Sequence, residues 1–282
     1  MIKKIFRTIG AVALLLVMYA LFQGLFTVLA VVAAIAIAIA KGKLPADSLG
    51  LISDTSLLDP SSAVGGYVVN AMACGLFVSA LAMLLFIHFT GFFKLRLSIF
   101  RTISLKPLVI ATALVFTSMF ALNIFVNWFP LENNLEVQFD GLAHNILGAF
   151  TISVLAPVLE EVMFRGAIQG YIARTFGKPW LAILVAALIF GIYHWNPVQV
   201  VYATLLGIIF GWIYYITGSL LSVIVGHVLN NSIATFTILF MSDVSEVEVS
   251  NSSPGYISFV VFAALSVWLA VILYRSTAKK LS

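Results

Sequence analysis

The chain has 282 residues, 62% of them hydrophobic, a mean hydropathy of +1.12 and only 9% charged residues. Soluble domains carry about 25% charged residues, so the composition excludes a water-soluble globule and describes a polytopic membrane protein. The net charge of +4 does not argue for nucleic acid, because Lys and Arg collect in the cytoplasmic loops of membrane proteins. One cysteine, Cys74, excludes an internal disulfide and every paired-cysteine metal motif, and it reads as a small packing residue.

In chain order, Lys3, Lys4 and Arg7 precede an apolar run over 9–40. That run is too long for the 7–15-residue core of a signal peptide and predicts a first helix able to tilt or protrude. A polar, turn-rich stretch follows, with Pro45, Asp47, Asp54, Asp59 and Pro60, and then a second run over 66–90. A basic connection with Lys94, Arg96, Arg101 and Lys106 leads to a third run, 108–129, and an acidic one with Glu132, Glu136 and Asp140 to a fourth, 142–159. The stretch 160–178 reads as a connection closed by Gly177-Lys178-Pro179. The remaining runs are 180–194, 198–216, 220–241 and 256–274, with acids at Asp243, Glu246 and Glu248 and terminal cations at Arg275, Lys279 and Lys280. The expectation is an all-α transmembrane bundle of about eight helices in one membrane domain, 1–282.

Charge orients this layout. With the N-terminus in the cytoplasm, 13 of the 15 basic residues fall on the cytoplasmic side, leaving only Lys41 and Lys43 outside, along with nine of the 11 acids. The positive-inside rule therefore favours both termini in the cytoplasm, with the two remaining acids, Glu160 and Glu161, near the cytoplasmic end of the fourth helix.

An acid at membrane depth is costly unless paired or solvated, and marks a functional site by default. Three polar clusters interrupt the apolar helices. In Glu160-Glu161-x-x-x-Arg165, Glu161 and Arg165 are i,i+4 neighbours that can pair. Glu160 points about 100° away on a 3.6-residue turn, free to face a cavity. Pro157 removes a backbone donor just before the pair and is expected to kink the helix. The second cluster is Phe190-Gly191-Ile192-Tyr193-His194, with Phe190 one turn before His194. The third is His227-Val228-Leu229-Asn230-Asn231, where His227 and Asn231 share a face and Asn230 can hydrogen-bond a neighbouring helix. Taken singly, each cluster also has a plain reading as a helix end, an interfacial His or packing glue. Together, they are expected to converge. His88 and His144 lack such company and read as interfacial.

A carboxylate and an imidazole can activate water, while a second imidazole and an amide can bind a developing oxyanion; that is peptide or amide hydrolysis. Glu160, His194 and His227 could equally hold a divalent metal such as zinc with an open water position. There is no His-Glu-x-x-His motif, and neither Ser153 nor Ser222 has a Gly-x-Ser-x-Gly elbow.

The three motifs, in this order, and the wording Ala-Pro-x-x-Glu-Glu-x-x-Phe-Arg-Gly at 156–166 resemble the CPBP family of CAAX-prenyl proteases and bacteriocin-processing proteins, also called the ABI family. The resemblance covers about 142–240 and implies an eight-helix intramembrane metalloendopeptidase with a catalytic core there and a cavity open to the cytoplasm. It gives Glu160 and His194 the activation of water, His227 and Asn231 the oxyanion or a share of a metal site, and Glu161 and Arg165 a supporting role. The substrate would be a membrane-embedded or lipidated peptide or protein, and the setting the plasma membrane of a prokaryote. Two other classes use the same residues: a proton- or ion-coupled transporter, which inverted repeats would support and none is evident, and a non-catalytic immunity or scaffold protein. The Gly166-x-x-x-Gly170 and Gly207-x-x-x-Gly211 spacings allow close helix contact within or between chains.

Overall fold

The computed structural model describes residues 2–46, 63–94, 104–133, 136–241 and 250–277. The expected loop charges Asp47, Asp54, Asp59, Arg96, Arg101, Asp243, Glu246, Glu248, Lys279 and Lys280 lie outside the described residues. The regular elements are α1 (Ile2–Ala40), α2 (Ala63–Phe89), α3 (Leu105–Val126), α4 (Glu136–Ala143), α5 (Ile146–Phe176), α6 (Pro179–Tyr193), α7 (Pro197–Thr217), α8 (Leu220–Phe240) and α9 (Ser253–Thr277). Seven of these helices are long and apolar enough to cross a bilayer; α6 is as apolar but has only 15 residues. The protein is a polytopic helical bundle of the membrane.

Each of the eight apolar runs became one helix, and two features departed from the expectation. The acidic stretch after α3 holds a short helix, α4, whose Leu142 and Ala143 are buried. Eight residues give too little periodicity to outweigh three charges in a sequence reading. More important, the fourth run does not stop at the Glu pair. It continues through the stretch read as a connection, to Phe176, so Glu160 and Glu161 stand mid-helix in a 31-residue element. The true stop is Gly177, left-handed at φ 63, followed by Lys178 and by Pro179 as the first residue of α6.

Helix α5 is the axis of the bundle. Every residue of its segment Glu161–Gln169 is buried, packed by α6, α7 and α8, while α2 and α8 cover its earlier part. Helices α1 and α2 form a long hairpin, and α9 lies against α3 with most of its surface outward. The core is aromatic around the polar centre: Phe164, Phe190 and Phe210 are among the largest fully buried side chains.

Pro157 was expected to kink this axis. Around it the helix widens. Thr151–Leu155 and Glu161–Gln169 are π-helical, with α geometry before, between and after them. Short π segments inside α-helices recur at functional sites.

Helices α6 and α7 approach closely at Gly191, where a Cβ would collide with Thr204 Oγ1 and come within 2.6 Å of the Val200 carbonyl oxygen. Gly191→Ala should therefore overpack this contact by about 1–3 kcal/mol. Thermal unfolding of the purified protein in detergent should show a lowered midpoint for Gly191→Ala and none for Gly24→Ala, whose added Cβ meets nothing within 4 Å. Equal midpoints would show that the contact yields freely.

Candidate active site

The site is built around one buried carboxylate. Glu161 Oε1 accepts a hydrogen bond from Arg165 Nη1 at 2.9 Å and one from His227 Nδ1 at 2.7 Å. Arg165 is itself buried and donates through Nη2 to the Gly207 carbonyl of α7 at 3.3 Å. Its guanidinium lies 4.4 Å from the Phe190 ring centroid and 5.2 Å from that of Phe210, a cation–π setting for a charge that cannot be neutralised. The expected Glu161–Arg165 pair is thus present, and it is buried rather than a helix-end decoration.

The π segment explains how three polar side chains share one face. With 3.6 residues per turn, i and i+4 are offset by about 40°, so a third member at i+8 swings out of line. Closing the helix by i→i+5 bonds takes about four residues per turn and stacks Glu161, Arg165 and Gln169 in a column. Gln169 Nε2 donates to the Gly211 carbonyl at 3.0 Å, repeating one turn on what Arg165 does at Gly207. The glycine spacing 207–211 therefore serves packing within the chain: it bares two carbonyls of α7 for the column. A Cβ at Gly211 would stand 2.8 Å from Gln169 Oε1.

Glu160 was expected to be turned away from the job of its neighbour. Both carboxylates in fact meet the same imidazole. His227 Nδ1 faces Glu161, and His227 Nε2 lies 3.6 Å from Glu160 Oε2. Glu161 is wholly buried, while Glu160 keeps 14% of its side-chain surface exposed. The carboxylate oxygen is the acceptor, so His227 Nδ1 donates to Glu161, and Nε2 is the nitrogen turned towards Glu160 across the 3.6 Å gap. A gap of that length also admits a water bonded to both groups. Tyr19 of α1 stacks on Tyr193 with ring centroids 4.9 Å apart, so the first helix packs against the end of the helix that precedes His194. Tyr19 was missed in the sequence because a tyrosine in a 39-residue apolar helix carries no local signal.

His194 follows the last residue of α6 and bonds back through Nδ1 to the Phe190 carbonyl at 2.8 Å. A carbonyl only accepts, so Nδ1 carries the proton and Nε2 presents a lone pair. Phe190 is the shared wall: its ring lies 4.9 Å from that of His194 and 5.8 Å from that of His227. Asn196 is fully buried, caps α7 at Val198 N and donates to Asn133 Oδ1 at 2.8 Å, fixing the turn that follows His194. Asn231, one turn after His227, donates through Nδ2 to the Ile152 carbonyl in the first π segment at 3.0 Å.

The other candidates fall away from this cluster. Ser153 bonds Thr235, and Ser222 bonds Thr217 and the Ser219 carbonyl, so both serines are engaged in packing. His144 pairs with Asp140 at an exposed position, His88 sits at the end of α2, and Cys74 is exposed rather than packed inside.

As metal donors, Glu160 Oε2 and His227 Nε2 face one another. Among the described residues, however, no three His, Cys, Asp or Glu side chains form a group able to hold an ion, so Glu160, His194 and His227 do not complete a metal site in this arrangement.

Residues 142–233 match the family model described as Type II CAAX prenyl endopeptidase Rce1-like. The matched segment is similar to that family and covers about a third of the chain. No curated protein and no solved structure matches the chain. All seven residues of the three motifs, Glu160, Glu161, Arg165, Phe190, His194, His227 and Asn231, lie inside the matched segment. Helices α1–α3 and α9 lie outside the match.

Removing one member of a buried ion pair leaves an uncompensated charge and costs about 3–5 kcal/mol, whereas removing both can be neutral. Arg165→Met should therefore lower the unfolding midpoint in detergent sharply, and Glu161→Gln/Arg165→Met should recover much of the loss. A double variant no more stable than Arg165→Met would contradict the pairing.

Proposed function

We propose that the protein is an endopeptidase that hydrolyses peptide bonds of membrane-associated or lipidated substrates with a water activated by Glu160 and His194. The observation that carries this reading is the His227 imidazole held between two unequal carboxylates, one buried and paired with Arg165, the other partly open.

Their unequal surroundings divide the work. Glu161, bonded through Oε1 to Arg165 and His227, orients the imidazole. Glu160 is the carboxylate able to exchange a proton with a bound water. The water oxygen adds to the carbonyl carbon of the scissile bond, and its proton passes to Glu160. His227 Nε2–H and the Asn231 amide donate to the oxygen that becomes negative. Collapse of the tetrahedral intermediate breaks the C–N bond, and the departing amine takes the proton back from Glu160, with the His194 Nε2 lone pair as a second proton site. The proton transfers need only these side chains, and the incomplete donor set gives no basis for a step through a metal ion.

The wider reading places a catalytic core at 142–240 within one membrane domain. It puts both termini in the cytoplasm of a prokaryote, the site in its plasma membrane and the site's opening on the cytoplasmic side. It rests on the positive-inside distribution of Lys and Arg and on the family's membrane-associated or prenylated substrates. No inverted repeat is evident to favour a transporter, and three ordered motifs in mutual contact favour catalysis over a scaffold.

In proteoliposomes offered internally quenched peptides, one with a farnesylated C-terminal Cys-a-a-X and one apolar and unlipidated, Glu160→Gln, His194→Ala and His227→Ala should each lower cleavage by about 10²–10⁴-fold with unchanged membrane insertion. Normal cutting by all three variants would end the proposal. Membrane peptides compared between cells carrying wild type and Glu160→Ala would name the natural substrate.

A further inference from the structure

Asn231 can serve an oxyanion only if its amide turns N–H, not C=O, towards the site. A chain of hydrogen bonds decides which. The chain begins at Pro157. In the first π segment the Ala156 N–H bonds the Thr151 carbonyl. The next carbonyl, of Ile152, would take the N–H of residue 157 in the same register, and proline has none. Asn231 Nδ2 fills the vacancy at 3.0 Å.

That contact sets a polarity. A backbone carbonyl only accepts, so Asn231 must present Nδ2 to it, and its Oδ1 then faces Asn230. Asn230 meets that oxygen with its own Nδ2 at 3.0 Å, which leaves Asn230 Oδ1 to accept from the Tyr202 hydroxyl at 2.6 Å. Every donor and acceptor in the row points the same way, and reversing any one member would set oxygen against oxygen. Each bond in such a row polarises the next, and the last donor is the Asn231 amide, whose second hydrogen is available to the site. Tyr202 comes from α7, the two asparagines from α8 and the carbonyl from α5, so three helices must agree for the amide to be aimed.

We infer that Tyr202 and Asn230 are positioning residues that, with the carbonyl freed by Pro157, hold Asn231 with its N–H directed at the site. This rests on reading Asn231 as an oxyanion donor. Asn230→Asp tests the polarity directly. An ionised Asp cannot donate to Asn231 Oδ1 and sets oxygen against oxygen there, so the amide is no longer held in one direction. A protonated Asp can donate, and restores the original direction.

With the farnesylated quenched peptide in proteoliposomes, Asn230→Asp should lower kcat by about 10²-fold, the scale of one lost oxyanion donor, with KM unchanged. The ratio of its kcat to that of wild type should rise as the pH falls and the new carboxyl protonates. Tyr202→Phe should lower kcat by about tenfold, less than Asn230→Asp because the Ile152 anchor remains. A pH-independent ratio, or a loss expressed in KM alone, would overturn the inference.

A second readout does not depend on cleavage. The full-length protein in detergent, with ¹⁵N in its asparagine side chains, should give one slowly exchanging Asn231 amide pair, identified by its loss in Asn231→Ala. Tyr202→Phe and Asn230→Asp should each shift or broaden that pair. If the pair is unmoved in both, no relay exists, whatever the enzyme cuts. If it moves and wild type cleaves neither peptide, the relay stands and the proteolytic reading is what falls.

Discussion

A single carboxylate oxygen, Glu161 Oε1, governs the centre of this molecule. Wholly buried, it must be met by donors, and it is met by two: the guanidinium of Arg165 from its own helix and the imidazole of His227 from α8. Each donor then makes a demand of its own. The guanidinium needs more acceptors and an accommodating wall, and finds the Gly207 carbonyl, Phe190 and Phe210. The imidazole, fixed at Nδ1, has its other nitrogen aimed at Glu160. Satisfying one buried charge thus sets the relative positions of α5, α7 and α8.

The helix that carries the charge is shaped by the same requirement. An α-helix would let Glu161, Arg165 and Gln169 drift around its circumference, while the π segment lines them up against the bared carbonyls of α7. The upstream π segment has a different cause. There a proline leaves a carbonyl without its donor, and the vacancy is taken by Asn231 from a helix far along the chain. A local defect of the backbone becomes a tertiary contact, and both irregularities lie within one turn or two of the motif they serve.

Much of this was legible in the sequence, and the limits have physical reasons. Apolar run length is a strong signal in a hydrocarbon solvent, so all eight runs became helices. The pairing of Glu161 with Arg165 follows from i,i+4 spacing, and the meeting of Glu160 with His227 from the cost of polar groups at depth. The extension of α5 to Phe176 was not legible, because Glu160, Glu161 and Arg165 look like a loop until their partners are known. That Glu161 would also meet His227 was hidden because Arg165 already offered it a partner at i,i+4. Tyr19, Tyr202 and Gln169 act through contacts made by residues distant in sequence, and Tyr202 and Tyr19 leave no mark in composition or period. Gln169 did leave one, as a third polar residue at the spacing of Glu161 and Arg165, but only a four-residue turn makes that spacing a column.

The brevity of α6 bears on the membrane itself. Fifteen residues reach about 22 Å at 1.5 Å each, against a hydrocarbon layer of about 30 Å. The turn that ends this helix holds His194 and then Trp195, which has a left-handed backbone at φ 55 and is 85% exposed. Tryptophan favours the headgroup level, and a helix shorter than the layer draws the bilayer inward or recruits polar material to the gap. Hydrophobic mismatch at α6 would bring the polar interface to His194, making the length of one helix, as well as the chemistry of its side chains, a control on the depth at which water is reached.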